Sequence, residues 1–123
     1  MSTKTFIKIR TDFEGYHYYP NAGSIDPRIS FLENEHRHMF KVEVKISVSH
    51  LDRELEFFLV KWALNEFIQG GNMNHKSCEM IGTDILNHHL IPRYGVNRYY
   101  EIVVSEDGES DGIVEHNPVF STT

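Results

Sequence analysis

The sequence has little of three things: cysteine, positive charge and continuous apolar runs. Cys78 is the single cysteine, so no internal disulfide can form, and no CxxC or Cys/His pairing indicates a zinc finger. The formal net charge is −6 without any basic run, which argues against nucleic acid as the main partner. No window approaches the roughly 20 apolar residues of a membrane span, and the N-terminus MSTKTFIKIR has no apolar signal core. We therefore expect a cytoplasmic protein that binds neither nucleic acid nor membranes.

The length bounds the organisation of the chain. Its 123 residues fit one domain, and a chain of this size buries only about two-thirds of its unfolded surface. We expect a single domain over residues 1–123, supplemented by self-association, with a flexible tail from about residue 117. The eight histidines are unusual for this composition, so the functional argument depends on where they lie.

Alternating apolar and polar residues predict four strands. Apolar side chains occupy every second position over residues 40–48, which predicts a long half-buried strand over 36–50. Residues 19–35 have the turn-rich composition of a loop. Shorter strand patterns cover residues 5–13, 99–105 and 113–115.

Two stretches with helical spacing lie between the second and third predicted strands. The first covers residues 55–68 and ends at Gly70-Gly71. The second begins at residue 77 or 78, where Ser77 can cap it, and reaches about residue 90, with Pro92 and Gly95 ending it. The order ββααββ predicts an α+β fold, an antiparallel four-stranded sheet with both helices on one face. An oligomer would cover its bare face or its edges.

A histidine pair opens the long strand. His36 and His38 stand two residues apart, so their side chains project from one face, the buried face that Phe40 shares. A buried imidazole needs a hydrogen bond or a metal ion. His17 lies just after the first predicted strand, and three imidazoles with an open fourth position are typical of a catalytic zinc site. The alternative is a packed, metal-free pair, because HxH alone is a weak motif.

The other histidines have a simpler interpretation, as solvated or locally capped side chains. They are His50, His75, His88, His89 and His116.

Four short segments follow one another along the chain. They are Phe-Glu-Gly-Tyr-His at 13–17, His-Arg-His before an alternating strand at 36–38, Ser-Cys-Glu at 77–79 and Val-Val-Ser-Glu at 103–106. Together they resemble the 6-pyruvoyltetrahydropterin and 6-carboxytetrahydropterin synthase family, which has Phe-x-Ala-Ala-His, His-Gly-His, a Thr-x-Glu-type segment and a strand ending in glutamate. The resemblance covers most of the chain, from residue 5 to residue 115.

This resemblance implies a tunnelling fold (T-fold) whose subunits form trimers, usually stacked in pairs, with active sites between subunits. It implies zinc as the cofactor, held by His17, His36 and His38. It also implies that Glu106 anchors a pterin, since a carboxylate can accept parallel hydrogen bonds from the 2-amino group and the ring N–H. The alternatives are a solvated turn residue for Glu106 and an ordinary first-turn acid for Glu79. The other residues matching the family's substrate-binding segments are Ser77, Cys78 and Glu79.

The sequence departs from the family at the groups that transfer protons. The family has a cysteine shortly before its HxH pair, whereas residues 29–35 contain none. Glu33 or Glu35 could supply a carboxylate there, as in relatives that release a 6-hydroxymethyl pterin, or both are plain solvated charges. His75 matches the histidine of the family's Asp-His pair, but Asn74 stands where the aspartate would be, and an amide cannot stabilise an imidazolium by charge.

The sequence thus predicts a zinc-dependent pterin lyase of the synthase type, in queuosine, folate or biopterin biosynthesis. Its substrate would be 7,8-dihydroneopterin triphosphate or a related pterin, reacting at the side chain. His75, with Glu33 or Glu35, would transfer protons. Two alternatives remain: a protein that binds zinc and pterin without turnover, and a metal-free structural domain.

Overall fold

The computed structural model describes residues 3–119, and it contains one five-stranded sheet. The strands are β1 (Thr5–His17), β2 (His36–Val48), β3 (Gly71–Asn72), β4 (Tyr100–Glu106) and β5 (Ser110–His116). Their order across the sheet is β3-β1-β2-β4-β5, with the four long strands antiparallel. The predicted antiparallel four-stranded sheet is confirmed, and β3 adds two residues parallel to the end of β1.

The helices lie in the two long connections. The β1–β2 connection contains α1 (Ala22–Ile25) and a 3-10 helix (Pro27–Glu33), where the sequence predicted only a loop. Asp26 caps the 3-10 helix by accepting a hydrogen bond from the Arg28 amide. The second connection contains α2 (Phe57–Phe67), α3 (Cys78–Ile85), a π-helical turn (Leu86–Leu90) and α4 (Ile91–Tyr94). Among the described residues, no helix has the length and apolar character needed to cross a bilayer.

The last helical region is longer than predicted because Pro92 does not end it. Pro92 lies in the first turn of α4, where a missing backbone N–H costs little. The preceding turn is π-helical, with the Ile91 amide bonded to the carbonyl of Leu86 five residues earlier. The helix ends instead at Gly95, whose φ of 100° a residue with a side chain rarely adopts.

His89 lies in this π-helical turn, and the prediction that it is a solvated or locally capped side chain is wrong. The side chain is 8% exposed and stacks on Phe67 of α2, with ring centroids 5.1 Å apart. Burial, and then the charge of Arg93, lower its pKa, so the ring is neutral at pH 7. A π-helical turn holds more residues than an α-helical turn, which changes the side of the helix that His89 occupies.

The core lies between the sheet and the helices, which cover one of its faces. Every second residue of β2 from Phe40 to Ile46 is fully buried, as the alternation predicted. The predicted placement of both helical regions on one face is confirmed. The core is completed by Tyr100, Ile102 and Val104 of β4, Val60 and Leu64 of α2, and Ile81 and Ile85 of α3.

The buried face of α2 is not the face with its largest side chains. Val60, Ala63 and Leu64 point into the core, whereas Phe58 and Trp62 are 63% and 58% exposed. Apolar residues occur on both faces of this helix, so helical spacing alone does not select the buried one.

The other face of the sheet is polar. Lys8 and Arg10 of β1 form ion pairs with Glu43 of β2, at 3.4 and 3.6 Å. The stem of Lys45 brings its ammonium group 4.4 Å from the ring centroid of Phe6. Water can solvate such a face, so self-association stays a prediction.

Candidate metal centre and adjoining cavity

Strand register brings the three predicted histidines to one end of the sheet. His17 is the last residue of β1, which extends four residues beyond the predicted strand, and it lies directly opposite His36 of β2. His38 lies two residues further along β2 and on the same face. One ring nitrogen from each imidazole lies within 4.8 Å of the other two. The structure thus groups residues that are far apart in the sequence.

Each of the three rings has its Nδ1 held by an oxygen acceptor. The pairs are His17 with the carbonyl oxygen of Lys76 at 2.8 Å, His36 with that of Asn34 at 2.9 Å, and His38 with Asp107 Oδ2 at 2.6 Å. A carbonyl or carboxylate oxygen only accepts, so these partners assign the proton to each Nδ1 and leave the lone pair on each Nε2. Histidines that bind metal ions are oriented in this way by their other ring nitrogen.

Two of the Nε2 atoms are buried without a hydrogen-bond partner, those of His17 and His38. Leaving a buried polar atom unsatisfied costs about 1–3 kcal/mol, so the arrangement favours a ligand at this point. The donor set fits zinc, which is commonly bound by imidazole nitrogens, although three imidazoles also suit other divalent ions.

Asp107 is a site residue that was not predicted from the sequence. Its Oδ2 accepts from His38, and its Oδ1 accepts from the Met39 amide at 2.8 Å. These two hydrogen bonds, that of His38 foremost, lower the pKa of the Asp107 carboxyl. Its φ is 57°, which aspartate and asparagine tolerate better than most residues. The available signal was an Asp-Gly turn directly after a strand that ends beside the HxH pair.

Glu106 faces the histidines because of the register between β2 and β4. It lies directly opposite Phe40, so its side chain shares the helix-covered face. Glu106 Oε1 is 3.6 Å from His17 Nε2, and Oε2 is 3.3 Å from His38 Nε2. The Cys78 thiol lies 3.8 Å from Oε1 and donates toward it. Burial, and then the Glu106 charge, raise the pKa of Cys78 to about 12, so it remains a thiol.

A cavity of about 670 Å³ opens beside His17, whereas His36 and His38 are not among the described residues that line it. This volume lies within the range of small-molecule sites, about 300–1,000 Å³. The cavity is bounded by the end of β1, the start of α3 and the β4–β5 hairpin. Its lining includes six of the predicted site residues: His17, His75, Ser77, Cys78, Glu79 and Glu106.

The wall near α3 depends on a close approach by β5. A Cβ at Gly112 would lie 2.8 Å from the Glu79 amide nitrogen and 2.9 Å from the Cys78 Cβ, so a larger residue would push the hairpin away from the helix. Ser77 caps α3 by accepting from the Met80 amide at 3.2 Å, as predicted. The first turn of α3 thereby forms one wall of the cavity.

Of the three predicted proton-transfer residues, one lines the cavity and two do not. His75 lines the cavity and is exposed. Glu33 accepts a hydrogen bond from the Gly23 amide at 2.8 Å, inside the β1–β2 connection. Neither Glu33 nor Glu35 is among the described residues that line this cavity.

The architecture is that of the tunnelling fold: an antiparallel sheet with its helices on one face. The chain is similar to the 6-pyruvoyl tetrahydropterin synthase (PTPS) of Plasmodium falciparum, with a TM-score of 0.66 and 16% sequence identity. The match covers 94% of this chain and 99% of that one, and it shows the fold. No protein-family model matches the chain, and no curated protein matches it significantly.

Proposed function

We propose that the chain is a zinc-dependent enzyme that acts on the side chain of a pterin such as 7,8-dihydroneopterin triphosphate. One observation carries the proposal: three imidazoles present lone pairs toward one point, at the edge of a cavity that His17 and the Glu106 carboxylate line. The fold supports it, because the similar structure is that of a 6-pyruvoyl tetrahydropterin synthase.

The zinc ligands would be His17, His36 and His38, with their tautomers set by the three Nδ1 hydrogen bonds. Bound zinc supplies Lewis acidity, which polarises side-chain oxygens and makes the neighbouring positions more acidic.

The pterin ring would bind in the cavity through Glu106. Its two oxygens can accept parallel hydrogen bonds from the 2-amino group and the adjacent ring N–H. Ser77, Cys78 and Glu79 would line the ring site at the start of α3. Lys76 also lines the cavity, but it is paired with Asp84, so a triphosphate would need other cations.

His75 would transfer protons, since it lines the cavity and histidine is the most frequent general acid–base side chain. Glu33 or Glu35 would assist after a change in the β1–β2 connection, or from a neighbouring subunit. Self-association into a trimer, or a dimer of trimers, would pair the sheet edges, which are β5 on one side and, on the other, β3 with the part of β1 that β3 leaves unpaired.

A second candidate is a protein that binds zinc and a pterin without turnover. The state of Cys78 favours it, because a thiol with a pKa of about 12 is a poor proton acceptor at neutral pH. The hydrogen bond from the Gly23 amide to Glu33 also favours this candidate.

Metal content per chain is the first test. We expect about one zinc ion in the purified protein and its loss in the His36→Ala/His38→Ala variant, with His88→Ala, at an exposed histidine, as the matched control. Pterin turnover by the zinc form would then support the enzyme, and tight binding without turnover the second candidate. A folded wild-type protein that takes up no metal would reject both and leave a metal-free structural domain.

A further inference from the structure

Both oxygens of Glu106 lie close to the histidines, at one end of the cavity that Glu106 lines. Oε2 lies 3.3 Å from His38 Nε2 and Oε1 lies 3.6 Å from His17 Nε2. Both nitrogens carry lone pairs, because their rings donate through Nδ1. A carboxylate facing two lone pairs gains no hydrogen bond from either.

These separations suit atoms that share one ion. Ligand atoms about 2.0–2.1 Å from a tetrahedral zinc ion lie about 3.3–3.4 Å from one another. The distances from the Glu106 oxygens to the Nε2 atoms of His17 and His38 are therefore close to the distance between neighbouring ligand atoms on one ion. A cation between them would convert unfavourable lone-pair contacts into coordination.

The carboxylate is held in this position by its surroundings. Glu106 ends β4 opposite Phe40, which sets the face on which its side chain lies. The Cys78 thiol donates toward Oε1 from the start of α3. Asp107, the next residue, holds the His38 ring, so one hairpin positions both groups.

We propose that Glu106 is a fourth metal ligand when no pterin is bound, and that a pterin displaces it from the metal. This inference rests on the proposed function. An oxygen that accepts a hydrogen bond from the ring is a weaker ligand for the ion, so the ring and the metal compete for the Glu106 carboxylate. Ring binding therefore weakens the hold of Glu106 on the metal and frees a coordination position there. By linkage, the metal must weaken ring binding by the same factor by which the ring weakens metal binding.

The first test uses Co²⁺ as a spectroscopic probe in the full chain. Loss of a ligand should weaken Co²⁺ binding about tenfold or more in Glu106→Gln and change the visible absorption bands. Glu79→Gln is the control, because Glu79 lines the same cavity and has no contact with the histidines. Equal affinity and equal spectra for wild type and Glu106→Gln would overturn the inference, as would equal weakening in the two variants.

The second test uses 6-methylpterin, which has the hydrogen-bonding edge of a pterin but no side-chain hydroxyl to bind a metal. We expect it to shift the wild-type Co²⁺ spectrum and to weaken Co²⁺ binding about tenfold, with the reciprocal effect of Co²⁺ on pterin affinity. Co²⁺ affinity that is unchanged or increased by 6-methylpterin would overturn the displacement.

Failure of the proposed function would look different. A wild-type chain that binds no Co²⁺ at all contradicts the metal centre itself. A chain that binds Co²⁺ through Glu106 but never binds 6-methylpterin contradicts the pterin site and, with it, the displacement. A chain that binds both without coupling between them, or that binds Co²⁺ equally well as Glu106→Gln, overturns the inference and leaves the proposed function intact.

Discussion

Asp107→Asn should weaken metal binding while leaving the fold unchanged. The φ of 57° at this position is one that asparagine tolerates, so the turn should keep its conformation. The amide oxygen can still accept one hydrogen bond. The negative charge that now lies 2.6 Å from His38 Nδ1 would be lost, and with it part of the basicity of Nε2.

The size of this effect follows from second-sphere partners of metal-bound histidines. Their removal typically costs about 10- to 100-fold in metal affinity, or about 1.4–2.7 kcal/mol. With free metal at about 100 times the wild-type Kd, binding stabilises the wild type by about 2.7 kcal/mol. The variant would gain about 1.4 kcal/mol at tenfold weaker affinity and about 0.4 kcal/mol at 100-fold.

Two assays check this prediction: a competitive metal titration against a chromophoric chelator, and the metal-induced rise in Tm. Asp111→Asn is the matched control, because Asp111 lies on the same hairpin and lines the cavity without any contact to an imidazole. Equal weakening in both variants would show that only the general charge of the cavity matters. An unchanged affinity in Asp107→Asn would refute the role assigned to this residue.

Three further predictions concern stability. Hydrogen bonds from Ser49, foremost, lower the pKa of Glu54 from 4.5 to about 2, so the stabilisation they provide is complete above pH 4.5 and is lost as the pH falls toward 2. Discounted for solvent screening, this stabilisation amounts to about 1–2 kcal/mol. Urea unfolding at pH 7 and pH 3 checks it: the free energy of unfolding should fall by about that much less in Glu54→Gln than in the wild type. Leu64→Ala should cost about 2–5 kcal/mol in urea unfolding because Leu64 is 1% exposed, whereas Leu51→Ala, at an 86% exposed position, should change stability by less than about 0.5 kcal/mol. Burial lowers the pKa of His89, so the folded state loses stability as the pH falls below about 6.5, the unfolded pKa. His89→Phe should therefore reduce the fall in Tm of the metal-free protein between pH 7.5 and 5.5, and an unchanged fall would contradict this.

Several local features could be predicted from the sequence because they depend on neighbouring residues alone. The alternation in β2 identified its buried face and placed His36 and His38 on that face. The cap at Ser77 was also local. Strand ends were less predictable: β1 continues to His17 because β2 pairs with it along its whole length, which its own residues do not reveal.

The candidate site was predictable only in part. The resemblance pointed to the three histidines and Glu106, and the structure brings these residues together. Asp107 was missed because a turn residue and a histidine partner have the same local sequence, and only the β2–β4 register places Asp107 beside His38. Glu33 and Glu35 were assigned by position in the chain, whereas the 3-10 helix turns Glu33 toward Gly23.

The sequence by itself determined which residues alternate, where the chain turns and which imidazoles share a strand face, because these depend on backbone periodicity. The tertiary structure decided what periodicity leaves open. Packing buries the face of α2 that carries its smaller apolar side chains and leaves the aromatic face exposed. The π-helical turn places the His89 side chain in the interior. Strand register set the distances from Glu106 to the histidines, because only pairing between strands can place residues from β1, β2 and β4 within a few ångströms of one another.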